Sequence, residues 1–147
     1  MYLTADDRGD FASIMHNWPA EEVDVVVVTD GSRILGLGDL GANGMGIPIG
    51  KLILYTAAGG IHPQRCLPVM LDFGCDNEEI LKNPYYLGAD HERLKGPEYI
   101  AAVDEFVHAV KIRYPNAFIQ FEDFSSDVAN YLLDRYRYKE CVFNDDI

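Results

Sequence analysis

Four acidic residues follow two predicted strands near the end of the chain. Glu122 and Asp123 come directly after an apolar segment that ends at Phe121, and Asp145 and Asp146 come shortly after another. A helix predicted between the two segments makes them a β-α-β unit, whose strands run parallel and end at the same edge of the sheet. Neighbouring strands lie about 4.8 Å apart, so the carboxylates converge if these strands are adjacent. Converging carboxylates repel one another unless a cation compensates them, and their hard oxygen atoms favour Mg²⁺ or Mn²⁺ over Zn²⁺.

A set of solvated loop acids is the alternative interpretation, because the whole protein is acidic. Its 24 Asp and Glu residues against 12 Lys and Arg give a formal net charge of −12. Strand position alone does not decide between a metal site and solvated acids. Asn144 could also cap the turn that follows the second segment instead of binding a ligand. The same charge excludes nucleic acid as a partner, since a phosphate backbone requires a basic face.

Lys51 lies in an otherwise apolar segment with a helical pattern. Its neighbours include Ile49, Leu52, Ile53 and Leu54. Such a lysine either extends its ammonium group past the helix into solvent, which is the commoner outcome, or is partly buried. Burial would lower the pKa of Lys51 toward neutrality, where the amine can take up and return a proton. Lys51 is therefore a candidate acid–base residue.

Residues 36–41 have the spacing GxGxxG after a strand, which is typical of a dinucleotide-binding loop. The context does not fit, because the next helix is predicted to begin near Ile47 and no acidic residue lies near position 61 to hold a ribose. A loop that shapes a small-ligand pocket is the better interpretation, with a nucleotide-binding module as the alternative. Arg33 precedes this loop, and its guanidinium group suits a carboxylate, although a surface salt bridge is the ordinary role of a lone arginine.

The elements that must position these residues alternate between strands and helices. This order predicts an α/β domain with a mostly parallel sheet flanked by helices. Four consecutive valines at 25–28 lack polar alternation, which indicates a strand buried on both faces. The predicted strands are 23–29, a short one at 33–35, 66–73 (interrupted by Pro68), 117–121 and 141–143. The predicted helices contain residues 11–18 (after a capping box at Thr4 and Asp7), 47–58, 77–82, 99–114 and 128–136.

Composition is that of one globular domain, with 48% apolar residues in 147. No apolar run approaches the roughly 20 residues that span a bilayer, so no membrane partner is expected. The cysteines number three and lack CxxC spacing, which indicates reduced thiols in an intracellular protein. We expect a cytoplasmic location, or an organelle if an upstream transit segment has been lost.

Six blocks of the sequence together carry a resemblance to a known family. They are residues 27–31 (VVTDG), 33–41 (RILGLGDLG), 44–52 (GMGIPIGKL), 66–69 (CLPV), 119–124 (IQFEDF) and 143–147 (FNDDI). In order and spacing, and essentially from end to end, these blocks resemble the malic enzymes. The resemblance implies oxidative decarboxylation of malate to pyruvate and CO₂, with NAD or NADP and a divalent cation, Mg²⁺ or Mn²⁺.

The resemblance also assigns roles to individual residues. By motif, the metal ligands would be Glu122, Asp123 and Asp146, with Asp145 as a supporting neighbour. Lys51 would correspond to the general base that acts on the malate hydroxyl.

In the same family, an arginine at the place of Arg33 binds a carboxylate of the substrate. Family members also carry an upstream tyrosine that acts as general acid and a separate downstream NAD(P)-binding domain, and no segment here resembles either. We therefore expect residues 1–147 to be one substrate- and metal-binding domain, a fragment that contains no cofactor-binding residue and is inactive alone. The alternative is a non-catalytic interaction module that associates with itself, as a homo-oligomer, or with a full-length subunit.

Overall fold

Five parallel strands form one sheet that runs through the chain. The computed structural model describes residues 1–146. The strands pair in the spatial order first, third, second, fourth, fifth, and every pair is parallel, which confirms the predicted α/β class. The strands are β1 (Tyr2–Thr4), β2 (Val25–Thr29), β3 (Cys66–Asp72), β4 (Phe118–Phe121) and β5 (Val142–Asn144).

Helices cover both faces of this sheet, unequally. The α-helices are α1 (Phe11–Met15), α2 (Gly46–Gly59), α3 (Glu78–Leu81), α4 (Gly96–Arg113) and α5 (Ser126–Tyr136). Short 3-10 turns occupy Ala5–Asp7, Gly41–Met45 and Pro63–Arg65. Within residues 1–146, no helix is long and apolar enough to cross a bilayer.

The main core lies between the sheet and the helices α1, α4 and α5. Val26 and Val28 of β2 point into it, whereas Val25 and Val27 point to the other face, where α2 contributes the buried Leu52. All five residues of β2 are buried, as the run of valines predicts.

The layer that covers the α2 side of the sheet is the less complete of the two. Ile49 of α2 is 44% exposed, Ile53 is 61% exposed and Leu54 is 62% exposed. Exposed apolar side chains on one helix are a feature of surfaces that bind other protein surfaces.

Pro68 lies inside β3 without interrupting it. Its carbonyl oxygen accepts a hydrogen bond from the Met1 amino group, so the side of Pro68 without an N–H faces β1. The pairing of β1 with β3 begins only at Tyr2 and Met70. The missing donor therefore lies before the first paired residues of β1 and β3, and β3 continues past the proline.

Three expectations about the elements are wrong. The predicted strand at 33–35 is instead a tight loop in which Ile34 makes one antiparallel bridge to Gly38. The capping box of Thr4 and Asp7 is present, but it begins the 3-10 turn Ala5–Asp7 and not the helix. That helix is shorter than predicted, because α1 ends at Met15. The edge strand β1 has no counterpart among the predicted elements.

Candidate metal- and substrate-binding site at the carboxyl edge of the sheet

The two acidic pairs leave the sheet side by side. Strands β4 and β5 are adjacent and parallel, with Phe121 opposite Asn144. Residues 122–123 and 145–146 therefore lie at the same carboxyl edge, as the strand-end argument predicts. Ligands of open α/β sheets bind at this edge.

Lys51 reaches into this acidic edge from α2. Its Nζ lies 2.9 Å from Oε1 of Glu122 and 2.5 Å from Oδ2 of Asp145. The side chain of Lys51 is 23% exposed and that of Glu122 only 9%. Because α2 starts near the carboxyl ends of the strands, a lysine in its second turn can contact acids from both β4 and β5. The structure thus brings together three of the residues that the sequence singles out.

The expected lowering of the Lys51 pKa is wrong for this arrangement. Burial does act to lower the pKa, but hydrogen bonds to Asp145 and Glu122, together with the charges of these two residues, raise it above its usual value. A lysine with a raised pKa in the folded state stabilises the fold at every pH below its unfolded value of 10.5 and loses that effect only as the pH rises further. Lys51 is therefore an ammonium group at neutral pH in this arrangement.

Asp146 and Asn144 are tied to the turn that follows β5. Asp146 Oδ2 accepts a hydrogen bond from the backbone N–H of Phe124 at 3.1 Å. Asn144 is almost fully buried, and its Oδ1 accepts from the backbone N–H of Asp146 at 2.8 Å. The capping role considered for Asn144 is confirmed.

Asp123 adopts a left-handed backbone conformation, with φ at 54°. Only aspartate and asparagine among non-glycine residues populate this region with any ease. Its carbonyl oxygen accepts a hydrogen bond from the backbone N–H of Arg33 at 3.3 Å. The Arg33 side chain is exposed at the same edge and donates from Nη1 to Oγ of Ser126, at the start of α5.

The three candidate metal ligands have suitable donor chemistry, but their side chains do not converge on one point. Burial raises the pKa of Glu122, Asp123 and Asp146, because removal from water disfavours the charged form of a carboxylate. Their hard oxygen atoms fit Mg²⁺ or Mn²⁺. Within residues 1–146, no three carboxylate, imidazole or thiol groups converge closely enough to hold a metal. The metal assignment stays a prediction.

Two polar residues of the site were not singled out by any sequence pattern. Gln120 of β4 is fully buried, and its Nε2 donates to Oε2 of Glu122 at 2.5 Å. The hydroxyl group of Tyr55 donates to Oε1 of Gln120. Two sequence features could have indicated these residues. One is a glutamine inside an apolar strand, and the other is the spacing of four residues between Lys51 and Tyr55 on one helix.

The glycine-rich loop is shaped by close packing. Gly31 has φ at 71°, and a Cβ there would overlap the carbonyl oxygen of Gly41. Gly41 has φ at 52°, and a Cβ there would overlap the hydroxyl group of Tyr86. A 3-10 turn follows at Gly41, and α2 begins only at Gly46, so the loop lacks the helix start that a dinucleotide fingerprint requires. This arrangement favours the small-ligand loop.

The buried side chain of Arg93, which belongs to a different segment of the chain, binds the same loop at two points. Its Nη2 donates to Oδ1 of Asp39 at 2.6 Å and its Nη1 to the carbonyl oxygen of Asp30 at 2.6 Å. The sequence did not reveal this contact, because Arg93 lies more than 50 residues beyond both partners in a polar, irregular segment. The three cysteines are free thiols, as predicted.

Comparison with known proteins shows which family the chain is similar to. Residues 1–137 match the family model described as the malic enzyme N-terminal domain. A mitochondrial NAD-dependent malic enzyme of Amaranthus hypochondriacus is 59% identical over 147 residues, which are 100% of this chain and 24% of that protein. An NADP-dependent malic enzyme of Mus musculus is 56% identical over 148 residues, or 100% of this chain and 26% of that protein.

The similarity to these relatives extends over all the candidate site residues, including Asp145 and Asp146, which follow the stretch matched by the family model. The chain spans about a quarter of the length of the curated relatives it matches. The sequence blocks, the parallel sheet and these similarities agree, and the chain belongs to the malic enzyme family through its N-terminal domain.

Proposed function

We propose that this chain supplies the metal- and malate-binding part of a malic enzyme. The whole enzyme oxidatively decarboxylates malate to pyruvate and CO₂ with NAD or NADP. The observation that carries the proposal is the placement of Lys51 between Glu122 and Asp145 at the carboxyl edge of the sheet. The relatives, which are named NAD- or NADP-dependent malic enzymes, support the same activity.

Each acidic residue has a proposed role. Glu122, Asp123 and Asp146 would hold Mg²⁺ or Mn²⁺, and Asp145 supports them by holding Lys51. When bound, the cation supplies a Lewis acid for the oxygen atoms of the substrate. Lys51 is proposed to take the proton from the malate hydroxyl as the neutral amine, because its Nζ contacts a candidate metal ligand at this edge. The carboxylate charge that keeps Lys51 an ammonium group at neutral pH would be offset by a cation held by Glu122, which would favour loss of the lysine proton.

Arg33 is proposed to bind a carboxylate of malate. Its guanidinium group is exposed at the edge, and its backbone N–H donates to the carbonyl oxygen of Asp123, one of the proposed metal ligands. The two hydrogen bonds of a guanidinium–carboxylate pair give direction as well as attraction. The nucleotide would bind outside residues 1–147, so we propose that this single domain does not turn over malate alone.

Replacing Arg33 by alanine is expected to weaken binding of L-malate by about 10- to 100-fold, because one charge-assisted contact contributes about 1.5–3 kcal/mol. The measurement is calorimetric titration of the chain with L-malate in the presence of Mn²⁺. Affinity for Mn²⁺ alone should not change. Arg137→Ala is the control, since that arginine is exposed and pairs with Asp134 on α5. Equal malate affinity in Arg33→Ala and the wild type would refute the assignment.

The exposed face of α2 favours a second proposal, self-association of this chain. Ile49, Ile53 and Leu54 would be buried between two copies. We expect sedimentation to show a concentration-dependent dimer and Ile53→Asp to remain monomeric. Leu87→Asp is the control, since Leu87 is 97% exposed on another segment. A wild type with the mass of one chain at high concentration would contradict the proposal.

The compartment also remains a proposal. The plant relatives with NAD-dependent activity have names that give a mitochondrial location. An organelle therefore stands beside the cytoplasm as the proposed compartment. The two coenzymes named among the relatives leave both NAD and NADP as proposed cofactors of the whole enzyme.

A further inference from the structure

A row of hydrogen-bonded side chains runs from the middle of α2 to the acidic edge. The Tyr55 hydroxyl group donates to Oε1 of Gln120, and Nε2 of Gln120 donates to Oε2 of Glu122 at 2.5 Å. The other oxygen of Glu122, Oε1, faces Nζ of Lys51 at 2.9 Å. Gln120 has no solvent exposure, so its amide must find its hydrogen-bond partners inside the protein.

The spacing of these residues follows from the periods of a helix and a strand. Lys51 and Tyr55 are four residues apart on α2, a rise of about 6 Å along one face of the helix. Gln120 and Glu122 are two residues apart and point to the same face of the sheet, about 6.6 Å apart. Because α2 runs back along the sheet, Lys51 meets Glu122 and Tyr55 meets Gln120. The contact of Lys51 with Glu122 and the contact of Tyr55 with Gln120 therefore form side by side, with the same spacing on the helix and on the strand.

Hydrogen-bonding chemistry allows only one orientation of the Gln120 amide group in this row. An ionised glutamate can only accept hydrogen bonds, so Gln120 must present its NH₂ group to Glu122. The amide oxygen then points the other way and needs a donor, which the Tyr55 hydroxyl provides. A buried amide without that donor would carry an unsatisfied oxygen. Tyr55 thus fixes Gln120, and Gln120 fixes one oxygen of Glu122.

We propose that Gln120 and Tyr55 are positioning residues that set the orientation of the Glu122 carboxylate. With Oε2 held by Gln120, Oε1 is directed to the edge where Lys51 lies and where the cation is proposed to bind. The inference rests on the proposed function only for the role of Glu122 as a metal ligand. The orientation itself is a property of the chain without metal.

Two variants separate positioning from a general loss of structure. Gln120→Met keeps the volume of the side chain and removes both of its hydrogen bonds. Tyr55→Phe removes only the hydroxyl group and should fold even if the first variant does not. Tyr85→Phe is the matched control, because Tyr85 is 86% exposed and lies on a distant segment. Urea unfolding of each variant establishes that it is folded.

The first readout is Mn²⁺ affinity, measured by calorimetry with the metal alone. Groups that orient a metal ligand typically contribute 10- to 100-fold to affinity. We expect a loss of about 10-fold or more in Gln120→Met, a smaller loss in Tyr55→Phe and none in the control. Wild-type affinity in both folded variants, beside a loss in Asp146→Asn, would overturn the positioning role and leave the proposed function intact.

The second readout needs no metal. The ¹⁵N signal of the Lys51 ammonium group reports its contact with Glu122, and it should shift in Gln120→Met and Tyr55→Phe but not in Tyr85→Phe. If the wild type binds no Mn²⁺, the proposed metal role fails and this signal alone decides the inference. An unchanged Lys51 signal in both folded variants would overturn it.

Discussion

Replacing Arg93 by methionine is expected to lower the free energy of unfolding by about 3 kcal/mol, the scale measured when one partner of a buried ion pair is removed. The Arg93 side chain is 7% exposed and contacts one buried and one partly buried acid. The side chain of Asp30 is 1% exposed and that of Asp39 is 14% exposed. Methionine preserves most of the volume but leaves both carboxylates without their cation.

Urea unfolding of the variant measures this effect. Lys82→Met is the control, because the pair of Lys82 with Glu78 is exposed on both sides and surface pairs contribute little. Its unfolding midpoint should match that of the wild type. Adding Asp39→Asn to Arg93→Met should recover part of the loss, since one stranded charge is removed. A loss below about 1 kcal/mol in Arg93→Met would show that the ion pairs do not hold the loop.

The Arg93 contacts matter for the site because the loop they hold carries Arg33. The loop is fastened at Asp30 and Asp39, one on each side of Arg33. Between these points, the backbone N–H of Arg33 is bonded to the carbonyl oxygen of Asp123. The stability of a buried ion pair is thereby connected to the position of the residue proposed to bind malate.

The α/β class and most elements were predictable because apolar runs and helical periods are local properties. The valine run of β2 and the amphipathic pattern of α4 place both elements nearly where the structure has them. The shared edge of the acidic pairs followed from one rule, that strands of a β-α-β unit run parallel. The sequence thus predicted the shared edge of the two acidic pairs without any knowledge of contacts.

Features that depend on distant residues were not predictable in this way. Strand β1 has three residues and exists only because β3, more than 60 residues later, offers an edge. The raised pKa of Lys51 depends on acids about 70 and 94 residues away, which a pattern of neighbours cannot reveal. The partners of Gln120 and Arg93 are likewise set by tertiary packing. The sequence indicates that a buried polar side chain needs a hydrogen-bond partner, but it does not indicate which residue provides one.

Asp146→Asn is expected to weaken Mn²⁺ binding by about 100-fold or more, because it exchanges a charged ligand for a neutral amide, a change larger than the 10- to 100-fold of supporting residues. The backbone contact from Phe124 should survive, since the asparagine carbonyl oxygen can accept the same hydrogen bond. The fold should therefore be retained. Loss of affinity would then reflect the ligand and not the turn around it.

The most direct test of the central claim is calorimetric titration of the folded chain with Mn²⁺, with and without L-malate. Wild type and Asp146→Asn are compared with Asp134→Asn, which makes the same charge change at an exposed position of α5. We expect wild type and Asp134→Asn to bind Mn²⁺ alike, more tightly with malate present, and Asp146→Asn to lose binding. Equal binding by all three proteins, or none by the folded wild type, would contradict a metal site built from Glu122, Asp123 and Asp146.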